Sequence, residues 1–138
     1  MSIRKRNFQD SDSSDNMYAL FAIDYDEIQD LLRHSIKTFE LSGTDHTVIA
    51  RKLKPKDKLF ITNLAKDDIR SGIEGVMGVV KDVKIDYWRT VPREFDEKEV
   101  LTARIQVEYI DLVRVKKTDN LGVGNGMKVD VEAHVLVG

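Results

Sequence analysis

Residues 53–86, LKPKDKLFITNLAKDDIRSGIEGVMGVVKDVKID, constrain the fold of this chain more than any other stretch. A polar, proline-led turn (Lys54-Pro55-Lys56-Asp57) runs into three apolar residues, Leu59-Phe60-Ile61. A polar loop then ends in Gly72-Ile73-Glu74-Gly75 and opens a second apolar run over 76–83, interrupted by Gly78. Turn residues bounding two β-rich runs predict a hairpin with a roomy polar connection. No catalytic motif lies on it, so the segment reads as a scaffold that holds something.

Length and composition narrow the rest. A chain of 138 residues fits one domain whose core needs no covalent staple. Cysteine is absent, which excludes disulfides, thiolate zinc sites and a cysteine nucleophile. No apolar run approaches the roughly 18 residues a membrane helix needs, so no membrane contact is expected. Arg4-Lys5-Arg6 precedes a polar stretch where a secretory signal would carry an apolar core, and a cytoplasmic location is expected. Charged residues make up 33% with a net charge of −2. That balance argues against a bulk polyanion binder but leaves room for a local basic patch. The charge density also suits a thermophilic, prokaryotic source.

Along the chain, residues 1–16 pair a basic triplet with Asp10-Ser11-Asp12-Ser13-Ser14-Asp15 and are expected to form a flexible arm. Residues 18–23 (YALFAI) form a continuous apolar run that suits a strand covered on both faces. Asp24 and Glu27 have capping-box spacing. Ile28, Leu31, Leu32, Ile36 and Phe39 then recur at helical spacing, with Gly43 as a stop or an earlier break at 34–37. Thr47-Val48-Ile49-Ala50 reads as a short strand before the basic run Arg51, Lys52, Lys54, Lys56 and Lys58.

Beyond the hairpin, Tyr87-Trp88-Arg89 reads as a loop leading into an acidic segment at 94–99. Over 100–115, Ala103, Ile105, Val107 and Tyr109 alternate with polar residues, and a bulge near Asp111 is needed to reset the phase for Leu112-Val113. A glycine-rich tip, Gly122-Val-Gly-Asn-Gly126, connects to a terminal strand in which Val129, Val131, Ala133, Val135 and Val137 alternate. The sum predicts an α+β fold: a curved mixed sheet or small open β-barrel with one or two flanking helices, forming a single domain over 17–138. Residues 118–138 read as a C-terminal hairpin extension.

Chemistry is sparse. His34, His46 and His134 show no ligand spacing, so structural histidines are expected and no metal. The Gly122–Gly126 run lacks the following helix that a phosphate loop requires. Asp67-Asp68 and Asp96-Glu97 lie in charged loops, and Ser42 has no base beside it in sequence. Two features fit base recognition better. Tyr87-Trp88 beside Arg89 offers a stacking wall flanked by a cation, with packing against the sheet as the alternative. Thr62-Asn63, at the exit of the first hairpin strand, offers an amide able to read a base edge, with an ordinary turn asparagine as the alternative.

Residues 51–61 (RKLKPKDKLFI), Asn63 and residues 72–82 (GIEGVMGVVKD) together resemble the EVE domain of the PUA-like superfamily. That family shows a lysine-proline-glycine-aspartate turn, a strand ending in phenylalanine-tyrosine, and a glycine-isoleucine-x-glycine entry to a valine-rich strand. The resemblance covers about residues 17–115. Lys56 stands where the family has glycine, and Ile61 where it has tyrosine. The sister ASCH domain is the runner-up, because Lys37-Thr38-Phe39-Glu40 is similar to part of its signature, with Ser35 and Ser42 at its glycine and arginine positions.

The resemblance implies a non-catalytic, cofactor-free pseudo-barrel that binds RNA or DNA and reads a modified or flipped-out base. Thr62 and Asn63 would line the pocket, Tyr87 and Trp88 would wall it, and Ser35, Ile36 and Lys37 would form a lip. Arg51, Lys52 and Arg89 would meet phosphates. The alternatives are an ASCH-like enzyme acting on a modified nucleoside through Lys37 and Glu40, and an assembly module, a homodimer joined at the terminal strand's edge.

Overall fold

The computed structural model describes residues 16–90 and 98–133, with the backbone alone at 87–90 and 98–100. The elements are β1 (Asn16–Leu20), α1 (Tyr25–His34), β2 (Ile36–Ser42), α2 (Thr44–Lys52), β3 (Lys58–Ile61), β4 (Glu74–Thr90), β5 (Lys98–Asn120) and β6 (Met127–Ala133), with a 3₁₀ turn at Lys66–Asp68. This is a mixed α+β fold built on one six-stranded sheet, in the order β2-β5-β4-β3-β1-β6. β5 also pairs with β6, so the ladder returns from its far edge onto the C-terminal half of its longest strand. Only β1 and β3 run parallel; the other pairs are antiparallel.

The hairpin read from residues 53–86 is present: β3 pairs antiparallel with β4, from Lys58 opposite Val79 to Ile61 opposite Val76. Its turn is pinned by the Asp57 carboxylate, which accepts the Lys54 N–H at 2.9 Å. Two backbone bonds of 2.7 Å then tie Lys56 and Asp57 to Val80. The phase reset near Asp111 is also present. Met77 faces Asp111 while Gly78 faces Tyr109, leaving Ile110 as the extra, bulged residue.

Four local expectations need correction. The helix starts at the expected place, but the Asp24 side chain makes no capping bond; its carbonyl receives the Glu27 and Ile28 N–H groups. The helical stripe stops at Leu32, because Ser35 adopts a left-handed conformation (φ 69°) and closes the helix with its N–H on the Leu31 carbonyl. Ile36 and Phe39 therefore belong to β2, with Phe39 buried and Ile36 exposed. Residues 47–50 lie within α2, not a strand. There the Thr47 hydroxyl donates to the Gly43 and Thr44 carbonyls, and Ile49 and Ala50 bury against the sheet. Tyr87, Trp88 and Arg89 continue β4 instead of forming a loop, facing Leu101, Val100 and Glu99 on β5.

At the termini, residues 1–15 of the expected arm, and His134, Val135 and Val137, lie outside the described residues. Asn16 already belongs to β1, and its side-chain amide donates to Asp130 on β6 at 2.6 Å. β6 is integral, paired with β1 on one side and β5 on the other. The buried apolar residues form two groups. One joins α1, α2 and β2 to Leu59, Ile61, Val76, Val80, Ala103, Ile105 and Val107. The other gathers Met17, Ala19, Phe60, Val113, Val115, Val129 and Val131 on the opposite side of the sheet. No described helix is long and apolar enough to cross a membrane.

Candidate binding pockets

β1 and β3 end side by side, and their parallel ladder continues past the strands. Thr62 N–H bonds the Leu20 carbonyl at 3.0 Å, Ile23 N–H the Thr62 carbonyl at 3.1 Å, and Ala22 N–H the Leu64 carbonyl at 2.7 Å. This fixed junction supplies walls to two cavities that share no lining residue.

The smaller, about 230 Å³, opens between α1 and the start of β4. Ile28, Ile61 and Val76 give it apolar lining, while Gln29, Thr62 and Asn63 bring polar groups. Thr62 is 3% exposed and its hydroxyl accepts the Leu64 N–H at 3.2 Å, so it positions the turn more than it meets solvent. Asn63 is exposed. Tyr25, 61% exposed, and Leu112, 43% exposed, border the opening.

The larger cleft, about 820 Å³, lies between the first turn of α2, the Lys66–Asp68 turn and the glycine-rich β5–β6 connection. The Lys66 ammonium crosses it, 3.4 Å from the Asp45 carboxylate and 3.0 Å from the Gly122 carbonyl. Only 14% of the Lys66 side chain and 22% of the Asp45 side chain are exposed, which makes this the most enclosed ion pair among the described residues. His46 packs its ring on Phe21 at a centroid distance of 4.8 Å. Its Nε2 is buried and meets no hydrogen-bond partner. Burial pushes the imidazole below the usual histidine range, against opposing pulls from the Phe21 backbone and the Asp45 charge. A third cavity, about 400 Å³, lies along α2 and includes Arg51.

Of the residues singled out in the sequence, Thr62 and Asn63 come together in the smaller pocket. Ser35, Ile36 and Lys37 line none of the three cavities; Lys37 instead pairs with Asp30 at 3.4 Å. Lys52 stands over the Tyr18 ring at 5.9 Å. The side chains of Tyr87, Trp88 and Arg89 lie outside the described ones. The backbone nonetheless places Trp88 twelve residues beyond Val76 on β4, about 40 Å along an extended strand. Lys37 and Glu40 fall on opposite faces of β2, the second paired with Arg104 at 3.3 Å, so the geometry does not unite them as an acid–base couple. Among the described residues no three metal-ligating side chains gather.

Sequence reading passed over Tyr25, Gln29, Phe21, Asp45 and Lys66, and treated His46 as structural. The spacing of Tyr25 and Gln29, one turn apart at the start of α1, is a local signal that could have placed both on one helix face. Lys66 and Asp45 are 21 residues apart, and nothing local joins them.

Comparison with known proteins gives a family. The uncharacterized protein MJ0105 of Methanocaldococcus jannaschii is 32% identical over 110 residues, covering 78% of this chain and 69% of that protein. No solved structure matches. Neither the family description nor this relative carries an EVE or PUA-like designation. The family model described as protein of unknown function (DUF473) matches residues 15–129, and the chain belongs to that family.

Proposed function

We propose that this chain is a non-catalytic nucleic-acid-binding domain of PUA-like type, in which the smaller pocket receives one extruded or modified base. The observation that carries this reading is the pocket at the end of β3, where Asn63 and Gln29 stand over an apolar lining of Ile28, Ile61 and Val76. Each amide offers two donors and an acceptor, the complement of a base edge. The volume of about 230 Å³ lies below the roughly 300–1,000 Å³ of drug-sized sites and suits a single heterocycle.

Tyr25 takes the stacking role first assigned to Trp88. It is exposed at the mouth of the pocket, and base–aromatic stacking contributes about 1–3 kcal/mol. The ladder β5-β4-β3-β1-β6, rejoined by the β5–β6 pairing, supports a small PUA-like barrel with β2 as an outer strand. Arg51 and Lys52 end α2, five residues ahead of β3, and would meet phosphates of the bound strand.

Fluorescence anisotropy with labelled single-stranded RNA and DNA, unmodified or base-methylated, tests the reading. Saturable binding that weakens between about 50 and 200 mM salt is expected. Asn63→Ala and Tyr25→Ala should each weaken it about tenfold while leaving the circular dichroism spectrum unchanged. Absence of binding to any of these polymers at the lower salt refutes the reading.

A further inference from the structure

We infer that the larger cleft is a second, separate site, and that it takes a small phosphomonoester with an aromatic body, such as a mononucleotide. This goes beyond the base pocket and does not depend on it.

Three features of the cleft converge. Its volume of about 820 Å³ falls within the roughly 300–1,000 Å³ typical of small-molecule sites. Lys66 has three ammonium hydrogens and two protein partners, the Asp45 carboxylate and the Gly122 carbonyl. One hydrogen remains for a ligand in the cleft that Lys66 lines. On another wall of the same cleft the His46 ring is held against Phe21. The two rings offer an apolar and aromatic surface to the body of the ligand.

The charge balance selects the anion. Asp45 occupies Lys66 as a tethered monoanion, so a ligand carboxylate would exchange like for like with no gain. A phosphomonoester carries about −1.5 to −2 charges near neutral pH, so it draws more from the remaining Lys66 hydrogen than a carboxylate would. The other acidic group on the cleft, Asp67, is exposed, where counterions screen it.

The test is a titration of the full chain with adenosine 5′-monophosphate, adenosine and inorganic phosphate, followed in two-dimensional ¹H–¹⁵N spectra. The monophosphate should shift Phe21, His46, Lys66 and Gly122 saturably, and bind at least about tenfold tighter than either fragment. Asp45→Asn keeps the shape of the side chain but releases Lys66, and should tighten binding severalfold. Lys66→Met should abolish it, and Asn63→Ala should leave it unchanged. An Asp45–Lys66 pair of purely structural value gives no tightening in Asp45→Asn, and that result overturns the inference. So do equal affinities for adenosine and its monophosphate at the Phe21, His46, Lys66 and Gly122 resonances, or an absence of saturable shifts there. An absence of oligonucleotide binding while this titration succeeds would sink the base pocket alone.

Discussion

Lys56 sits in the hairpin turn at φ 84°, a conformation that glycine adopts freely and other L-residues avoid. The strain persists because the turn is held from both sides. Lys56 N–H donates to the Val80 carbonyl, Val80 N–H to the Asp57 carbonyl, and Asp57 N–H to the Lys54 carbonyl. A non-glycine residue in the left-handed region costs about 1–2 kcal/mol. Glycine would remove that cost but add about 0.5–1 kcal/mol of unfolded-state entropy. Lys56→Gly should therefore stabilise the chain by about 0.5–1 kcal/mol, a rise in melting midpoint of roughly 2–4 °C. Lys56→Ala removes the charge and the long side chain but keeps the Cβ, so it isolates the backbone contribution. Urea titrations at constant m-value compare the three chains. If Lys56→Gly is no more stable than Lys56→Ala, the strain argument is wrong.

Two further outcomes follow from packing and burial. A Cβ at Gly78 would overlap Val107 Cγ1 and lie 3.0 Å from the Glu108 carbonyl oxygen. Gly78→Ala should thus cost about 1–3 kcal/mol in urea titrations, and an unchanged midpoint would refute this close approach of β4 and β5. His46 is held neutral by burial, so its native proton affinity lies below that of the unfolded chain. As pH falls through about 6.5, the unfolded state binds the proton first, and stability drops until the native imidazole also titrates. His46→Gln should flatten the stability profile between about pH 7.5 and 5.5 relative to the parent chain, and matching slopes would show that His46 is not the group responsible.

The parts of the fold that could be read from sequence carry their signal locally. Leu59–Ile61 lies between turn residues, and the 103–109 alternation reports one strand face directly. The misread parts are those where a local pattern fits two structures. Ile36 and Phe39 keep the helical phase of Leu32 by coincidence of spacing, and only the left-handed Ser35 separates helix from strand. Thr47-Val48-Ile49 has β-branched character, yet burial of Ile49 and Ala50 and the Thr47 hydroxyl bonds favour the helix. For the sites, Asn63 was visible because it punctuates a strand. Its companions Tyr25 and Gln29 come from a helix more than thirty residues earlier, and no local period predicts that meeting. The larger cleft is assembled from segments far apart in the chain, from Phe21 to Gly124, and the Lys66–Gly122 bond alone joins residues 56 apart.

The bulge at Ile110 connects fold and site. Ala103, Ile105 and Val107 enter one apolar group, whereas Val113 and Val115 enter the other, across the sheet. All five are odd-numbered, and an unbroken strand puts odd residues on a single face. One slip between 107 and 113 is therefore required if β5 is to line both groups, and the register supplies it at Ile110. Without the slip, Leu112 and Arg114 would turn into the second group. A buried guanidinium without a partner would cost several kcal/mol there. Val113 and Val115 would turn to solvent, losing about 1.5–3 kcal/mol each. Together these losses approach the whole stability of an ordinary domain, so the bulge is fixed by the two groups it separates. The same slip sets Leu112 opposite Val76, on the wall of the pocket that holds Asn63. The pocket thus inherits its shape from the phase change that the two apolar groups impose on β5.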